Sequence, residues 1–226
     1  MADYLFDQKK TKDELRVFFK TEKAKLNDFG SAVNQTFEAY VFAKVIEHYK
    51  ELGCKVKIIN PKVNGESVFK LKFSTRGAPS KYSYALVEFD DYKFQVRHQL
   101  RISTKSDNSR LSHSANICCD ISIIEDNNDL DFYSTDDALP NGQLISFGEV
   151  KHMSAFAELV ASFIGLVHEL QPSRLRRIRT RNHEDNNLAP FLYVSGYLNP
   201  TARGIFHSIQ KRKYDLDIYS YENPMK

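Results

Sequence analysis

The sequence predicts an α+β fold, a mixed central sheet flanked by helices and built as one domain. Three observations lead there. Residues 31–52 and 154–170 place apolar side chains at helical spacing. Between them lie strand-like runs rich in β-branched and aromatic residues, separated by turn signals. After residue 170 the period changes again, to strand, helix and strand. With 226 residues, 42% hydrophobic and 27% charged, the chain has material for one substantial core and an ordinary surface.

In chain order, residues 11–27 set Leu15, Phe18, Phe19 and Leu26 near one helical face, with lysines elsewhere. A longer helix follows from about Ser31 to Leu52, with Val33, Phe37, Tyr40, Val41 and Val45 on its stripe, Ser31 as its cap and Gly53 as its stop. The runs CKVKIINP, SVFKLKFS, YSYALVEFDD, YKFQVRHQLRIS and ANICCDISIIE read as strands, with turns at Gly65, Gly77 and Asp90-Asp91. An acidic loop and Pro140-Asn141-Gly142 lead into a strand over 143–151. Ser154 is the expected cap of a helix that buries Phe156, Val160, Phe163, Ile164 and Val167 and ends before Pro172. APFLYVSGYLN, the Pro200-led PTARGIFHSIQKRK and YDLDIYSYEN complete the order as strand, helix and strand.

Composition excludes several classes. No apolar run approaches the ~20 residues of a membrane-spanning helix. The first fifteen residues, MADYLFDQKKTKDEL, lack the pattern of a signal peptide. Three cysteines, two of them adjacent, suit neither a disulfide framework nor a zinc site, so a reducing cytoplasmic setting with cysteines as small apolar residues is expected. No Gly-X-Ser-X-Gly elbow and no glycine-rich phosphate loop is present. The net charge of +3 is modest, but Arg174, Arg176, Arg177, Arg179 and Arg181 crowd into PSRLRRIRTRNHED. Such a cluster either grips phosphates through guanidinium forks or forms a solvated basic loop.

The unusual strand is LISFGEVKHM. Alternation sets Ile145, Phe147, Glu149, Lys151 and Met153 on one side, so an acid and a base extend a face that begins as core. They either satisfy one another at a solvated sheet end or address a shared ligand. Asp120 favours the ligand: it interrupts the apolar strand NICCDISII, the strand preceding 143–151, and consecutive strands tend to pair. Two carboxylates on adjacent strands suit Mg²⁺, and a lysine beside them suits phosphodiester cleavage.

Asp120, then Glu149-Val150-Lys151 on a strand that feeds a helix, then strand, helix and strand, resembles the PD-(D/E)XK nuclease superfamily over roughly residues 30–220. The resemblance implies a restriction-endonuclease-like, three-layer core over 31–220, with residues 1–30 as an N-terminal helical extension. It implies an (endo)nuclease dependent on Mg²⁺ or Mn²⁺, acting on DNA rather than RNA, in bacterial defence or restriction, as a homodimer or a subunit of a larger complex. Asp120 and Glu149 would be metal ligands, Val150 would offer its carbonyl, and Lys151 would orient water or stabilise charge. Glu38 on the first core helix is the candidate extra acid, with Glu47 as a substitute.

The chain departs from the family pattern in two places. Cys119 precedes Asp120 where the motif has proline, and 28 residues separate Asp120 from Glu149. Asp126, Asp129 and Asp131 are therefore alternatives to Asp120. Members that have lost activity keep the fold, so the alternative function is a silent module that binds nucleic acid or a protein partner. His98, Arg101, Arg110 and His113 are expected at a sheet edge or in loops, and His152 facing away from Lys151.

Overall fold

The computed structural model describes residues 6–21, 25–26, 32–106, 115–126, 130, 133, 137–176 and 187–225. Helix α1 (Gln8–Thr21) packs on α2 (Val33–Glu51). Strands β1 (Lys25–Leu26), β3 (Lys62–Val63) and β4 (Glu66–Phe69) make a small sheet. The central sheet takes β2 (Lys55–Ile59), β5 (Tyr84–Phe89), β6 (Tyr92–Ser103), β7 (Asn116–Glu125), β8 (Leu144–Lys151), β9 (Phe191–Val194) and β10 (Asp217–Tyr219). Helix α3 (Ala157–Leu170) joins β8 to β9, and α4 (Pro200–Arg212) joins β9 to β10.

The sheet has seven strands in the order β10-β9-β8-β7-β6-β5-β2 and is mixed, flanked by helices as expected. β2, β5, β6, β7 and β8 pair antiparallel, while β8, β9 and β10 run parallel, as helix-containing crossovers require. Two apolar layers result. One contains Phe37, Val41, Phe42, Val45 and Ile46 of α2 with Phe19 of α1 and Ile121, Ile123 and Val150 of the sheet. The other contains Val160, Phe163 and Val167 of α3 and Ile209 of α4 with Phe147, Leu192 and Val194. Helix α2 buries residues around most of its circumference because α1 covers one side and the sheet another. No helix among the described residues is long and apolar enough to cross a membrane.

Three local expectations are corrected. Ser31 lies outside the described residues; Ala32 stands at the start of α2, its N–H donating to Gln35 Oε1 at 3.5 Å. Gly53 does end α2, at φ +84°. Ser154 does not cap α3, which starts after Phe156. Its hydroxyl accepts instead from the Tyr197 N–H at 3.2 Å, because Gly196 passes so close that a Cβ there would stand 2.4 Å from Ser154 Oγ. The expected strand over 67–74 stops at Phe69. From Lys70 on, its backbone bonds elsewhere: Lys70 N–H donates to Ser83 Oγ at 2.8 Å, and the Lys72 carbonyl accepts from His98 Nδ1.

Alternation along β8 is also broken. Ile124 pairs with Leu144 but Ile123 with Ser146, so Ile145 is a bulge residue. Ile145 packs on the α2 side and Phe147 on the α3 side, not on one face as the simple period implies. Gly148 then lies under the Phe191 ring of β9, where a Cβ would come within 2.2 Å of Cζ. Glycine at this position lets the two parallel strands close up just before Glu149. Met153 lies past the strand end and is exposed.

Candidate active site

The site is built where the central strands fall out of phase. Leu100 and Cys119 are paired and belong to the α3-side layer. His98 and Ile121, two residues away on the same strands, are paired on the α2 side, where the His98 ring meets Phe42 and Phe73. Regular pleating would keep residues two apart on one face. The slip falls on Gln99, whose φ of +53° lies in the left-handed region, and on Asp120 opposite it. Both are buried, and Gln99 Nε2 donates to Asp120 Oδ1 at 2.8 Å.

Next to this slip β7 and β8 part. Their last ladder pair is Ile121 with Gly148. Beyond it the N–H of Val150 donates to Asp120 Oδ2, at 2.9 Å, in place of a backbone carbonyl. A strand residue offers its N–H and C=O to the same neighbour, so the Val150 carbonyl lies along this same edge. Lys151 Nζ reaches the same Asp120 oxygen at 3.2 Å and Glu149 Oε1 at 2.5 Å. Asp120, Glu149 and Lys151 thus converge on one small volume.

Glu38 joins them from α2. Gln99 Nε2 is shared between Asp120 and Glu38 Oε2, the latter at 3.2 Å. His98 Nε2 lies 3.2 Å from the same Glu38 oxygen, outside hydrogen-bond alignment. His98 Nδ1 must carry a proton, since it meets the Lys72 carbonyl, which can only accept. His98 is therefore a buried neighbour of the acidic centre, not the edge residue expected.

Burial raises the Glu149 pKa above its ordinary value, the Asp120 charge adds to that, and Lys151 offsets part of it. Burial opposes the Lys151 charge, but the two carboxylates outweigh it and its pKa rises. A carboxyl whose folded pKa exceeds its unfolded value contributes stability that is complete below the unfolded pKa and lost as pH rises through the folded one. In EDTA, Glu149 should therefore give a loss of stability as pH climbs upward from 4.5. Urea midpoints of wild type and Glu149→Gln, compared across that window, check this: the glutamine variant should lack that part of the decline. Parallel curves would show that Glu149 ionises without penalty.

The remaining candidates separate from the site. Glu47 pairs with Lys44 at 2.8 Å on the helix surface. Asp126 accepts from Gln95 at 2.6 Å, and Asp129 and Asp131 lie outside the described residues, as do Arg110 and His113. Arg174 is held by the buried carboxylate of Asp215, which engages one nitrogen of its guanidinium. Arg176 is exposed; Arg177, Arg179 and Arg181 lie outside the described residues. His152 packs against Phe6 and Phe37, and its Nδ1 lies 2.9 Å from Ser195 Oγ, away from Lys151. Cys54 and Cys119 are buried and Cys118 partly so, all as free thiols.

A scan of protein-family models, a search of curated proteins and a search of solved structures each found no match for this chain. The geometry itself must carry the functional reading.

Sequence reasoning missed Gln99. A glutamine amid FQVRHQLRI has no chemical signature, and only its backbone conformation and its two carboxylate partners single it out. Among the described residues, no group of three or more His, Cys, Asp or Glu is already arranged around a metal position. The donor chemistry nonetheless fits a hard cation. Asp120 and Glu149 already share one positive charge, the Lys151 ammonium, and Mg²⁺ commonly takes one or two carboxylates with the rest water and phosphate.

Proposed function

We propose that this protein is a metal-dependent nuclease that hydrolyses phosphodiester bonds, with DNA the first substrate to test. The observation that carries the reading is the convergence of Asp120, Glu149 and Lys151 where two central strands part. Asp120 and Glu149, with the Val150 carbonyl, are the residues that would hold Mg²⁺ or Mn²⁺, and Glu38 would add charge through Gln99. When bound, such an ion supplies neutralisation of the phosphate and acidifies a water.

The chain's own groups account for the rest. Asp120 is fixed by Gln99 and the Val150 N–H, so its carboxylate is oriented before any ligand arrives. Lys151, over one-third exposed, can swing from the carboxylates toward a phosphate oxygen or an attacking water. There it would stabilise the negative charge that grows as water adds to phosphorus and the ester oxygen leaves. A role in bacterial defence, and action as a dimer or within a larger complex, belong to the same proposal through the resemblance alone.

The test is incubation of the purified chain with labelled single- and double-stranded DNA and RNA in Mg²⁺, Mn²⁺ or EDTA. Cleavage should appear with either metal and vanish in EDTA. Binding without cleavage would assign the silent nucleic-acid module instead, and neither binding nor cleavage of any substrate would defeat the proposal.

A further inference from the structure

We propose that Lys72, with Arg101 beside it, binds a backbone phosphate of the nucleic acid next to the acidic centre, an inference that rests on the nucleic-acid reading above. Lys72 lies in the segment that leaves the expected strand to run against β6, its carbonyl tied to His98. The residue is only 3% exposed, yet no ion pair to it is found among the described residues. Burial draws its pKa down, the Cys118 thiol opposes that, and the Arg101 charge lowers it further. A buried cation without a counter-ion is unfavourable, and a second cation close by makes it more so.

Arg101 does not relieve this. Its guanidinium is fixed by neutral acceptors, the Thr75 carbonyl at 3.1 Å and Asn116 Oδ1 at 2.8 Å, and no carboxylate is bonded to it among the described residues. Cys118 faces Arg101 across the β6–β7 pair and ties the two cations to the acids. Its Sγ lies 3.4 Å from Gln99 Oε1, on the amide whose nitrogen holds Asp120 and Glu38. The same thiol feels Lys72, Arg101, Asp120 and Glu149. A pair of cations with no carboxylate bonded to either among the described residues thus adjoins a cluster of acids suited to a cation. A phosphodiester chain matches that order: one phosphate at the acidic centre, its neighbour at Lys72.

Fluorescence anisotropy with labelled single- and double-stranded DNA and RNA, in EDTA to prevent cleavage and across a KCl series, tests this. Lys72→Met should weaken binding about tenfold and lower the salt slope by ~1, while Lys72→Arg keeps both near wild type. The urea midpoint of the methionine variant should equal or exceed that of wild type, since an uncompensated charge has been removed. If methionine impairs folding, Lys72→Gln carries the comparison. Unchanged affinity and slope in the uncharged variant, loss of slope in the arginine variant, or a wild type that binds no oligonucleotide would each overturn the inference. Cleavage in Mn²⁺ is scored separately. A wild type that binds but does not cut, with binding lost in Lys72→Met, discards the nuclease reading and keeps Lys72; a wild type that cuts, with binding intact in Lys72→Met, does the reverse.

Discussion

Replacing Lys151 with methionine should reduce cleavage by about 10²–10³-fold or more, the range seen when one preorganised electrostatic group is removed. It should also tighten divalent-metal binding. In the wild type the ammonium lies 2.5 Å from Glu149 and 3.2 Å from Asp120, so an incoming cation must displace it. Methionine keeps the length of the side chain and removes that competitor. Glu149, whose proton affinity burial and the Asp120 charge already raise, then gains most from a metal.

Without metal the variant should lose about 1–2 kcal/mol at neutral pH. Breaking a fully buried pair costs more, but this lysine is over one-third exposed and its interaction is screened accordingly. Single-turnover cleavage and thermal melts with and without Mn²⁺ check both halves. Lys151→Met should show the larger Mn²⁺-induced rise in Tm. Cleavage at the wild-type rate would remove Lys151 from the chemistry, and a smaller rise in Tm would mean that the ammonium does not compete for the metal.

Changes at Asp120 should have the largest combined effect. Alanine there leaves the Val150 N–H without its acceptor, leaves the Gln99 amide only its longer bond to Glu38, and takes one of two carboxylates from Lys151. At about 1–3 kcal/mol for each buried polar group left unpaired, the expected loss is about 2–4 kcal/mol. At this chain length that corresponds to a fall in Tm of roughly 5–15 °C. Cleavage should be abolished.

Asparagine at 120 separates the two roles. Its side-chain oxygen can still accept from the Val150 N–H, so the strand fork persists and stability falls less. The negative charge is gone, so metal-dependent cleavage should be lost all the same. Calorimetry and the cleavage assay on both variants check this. An Asp120→Asn protein that cuts normally would end the case for this carboxylate as a ligand, while one as unstable as Asp120→Ala would show that charge, not hydrogen bonding, holds the fork.

Much of this site was legible in the sequence. Glu149 and Lys151 stand two apart on a strand and therefore point the same way, and they do meet. Asp120 was conspicuous as a charge in an apolar run, and strand adjacency then brought it to Lys151. Gln99 and Lys72 gave no such signal. The role of Gln99 comes from a left-handed backbone, φ +53°, at the point where two strands slip in phase. Lys72 sits in a segment whose composition reads as strand, but whose backbone bonds are taken by Ser83 and His98 from distant parts of the chain. Ser154 misled for a related reason: a serine before a helix is an ordinary cap, yet the close passage of Gly196 turned it toward Tyr197.

Periodicity, turn chemistry and chain order by themselves determined the class of fold, the succession of elements and the acid–base pair on β8. Those features depend on side-chain direction within a few residues, which local stereochemistry sets. The tertiary structure alone decided which residues complete the site. The bulge at Ile145, the slip at Gln99 and Asp120 and the parting of β7 from β8 are matters of register between strands. Register is settled by packing the whole sheet between its two apolar layers, and no single strand contains that information.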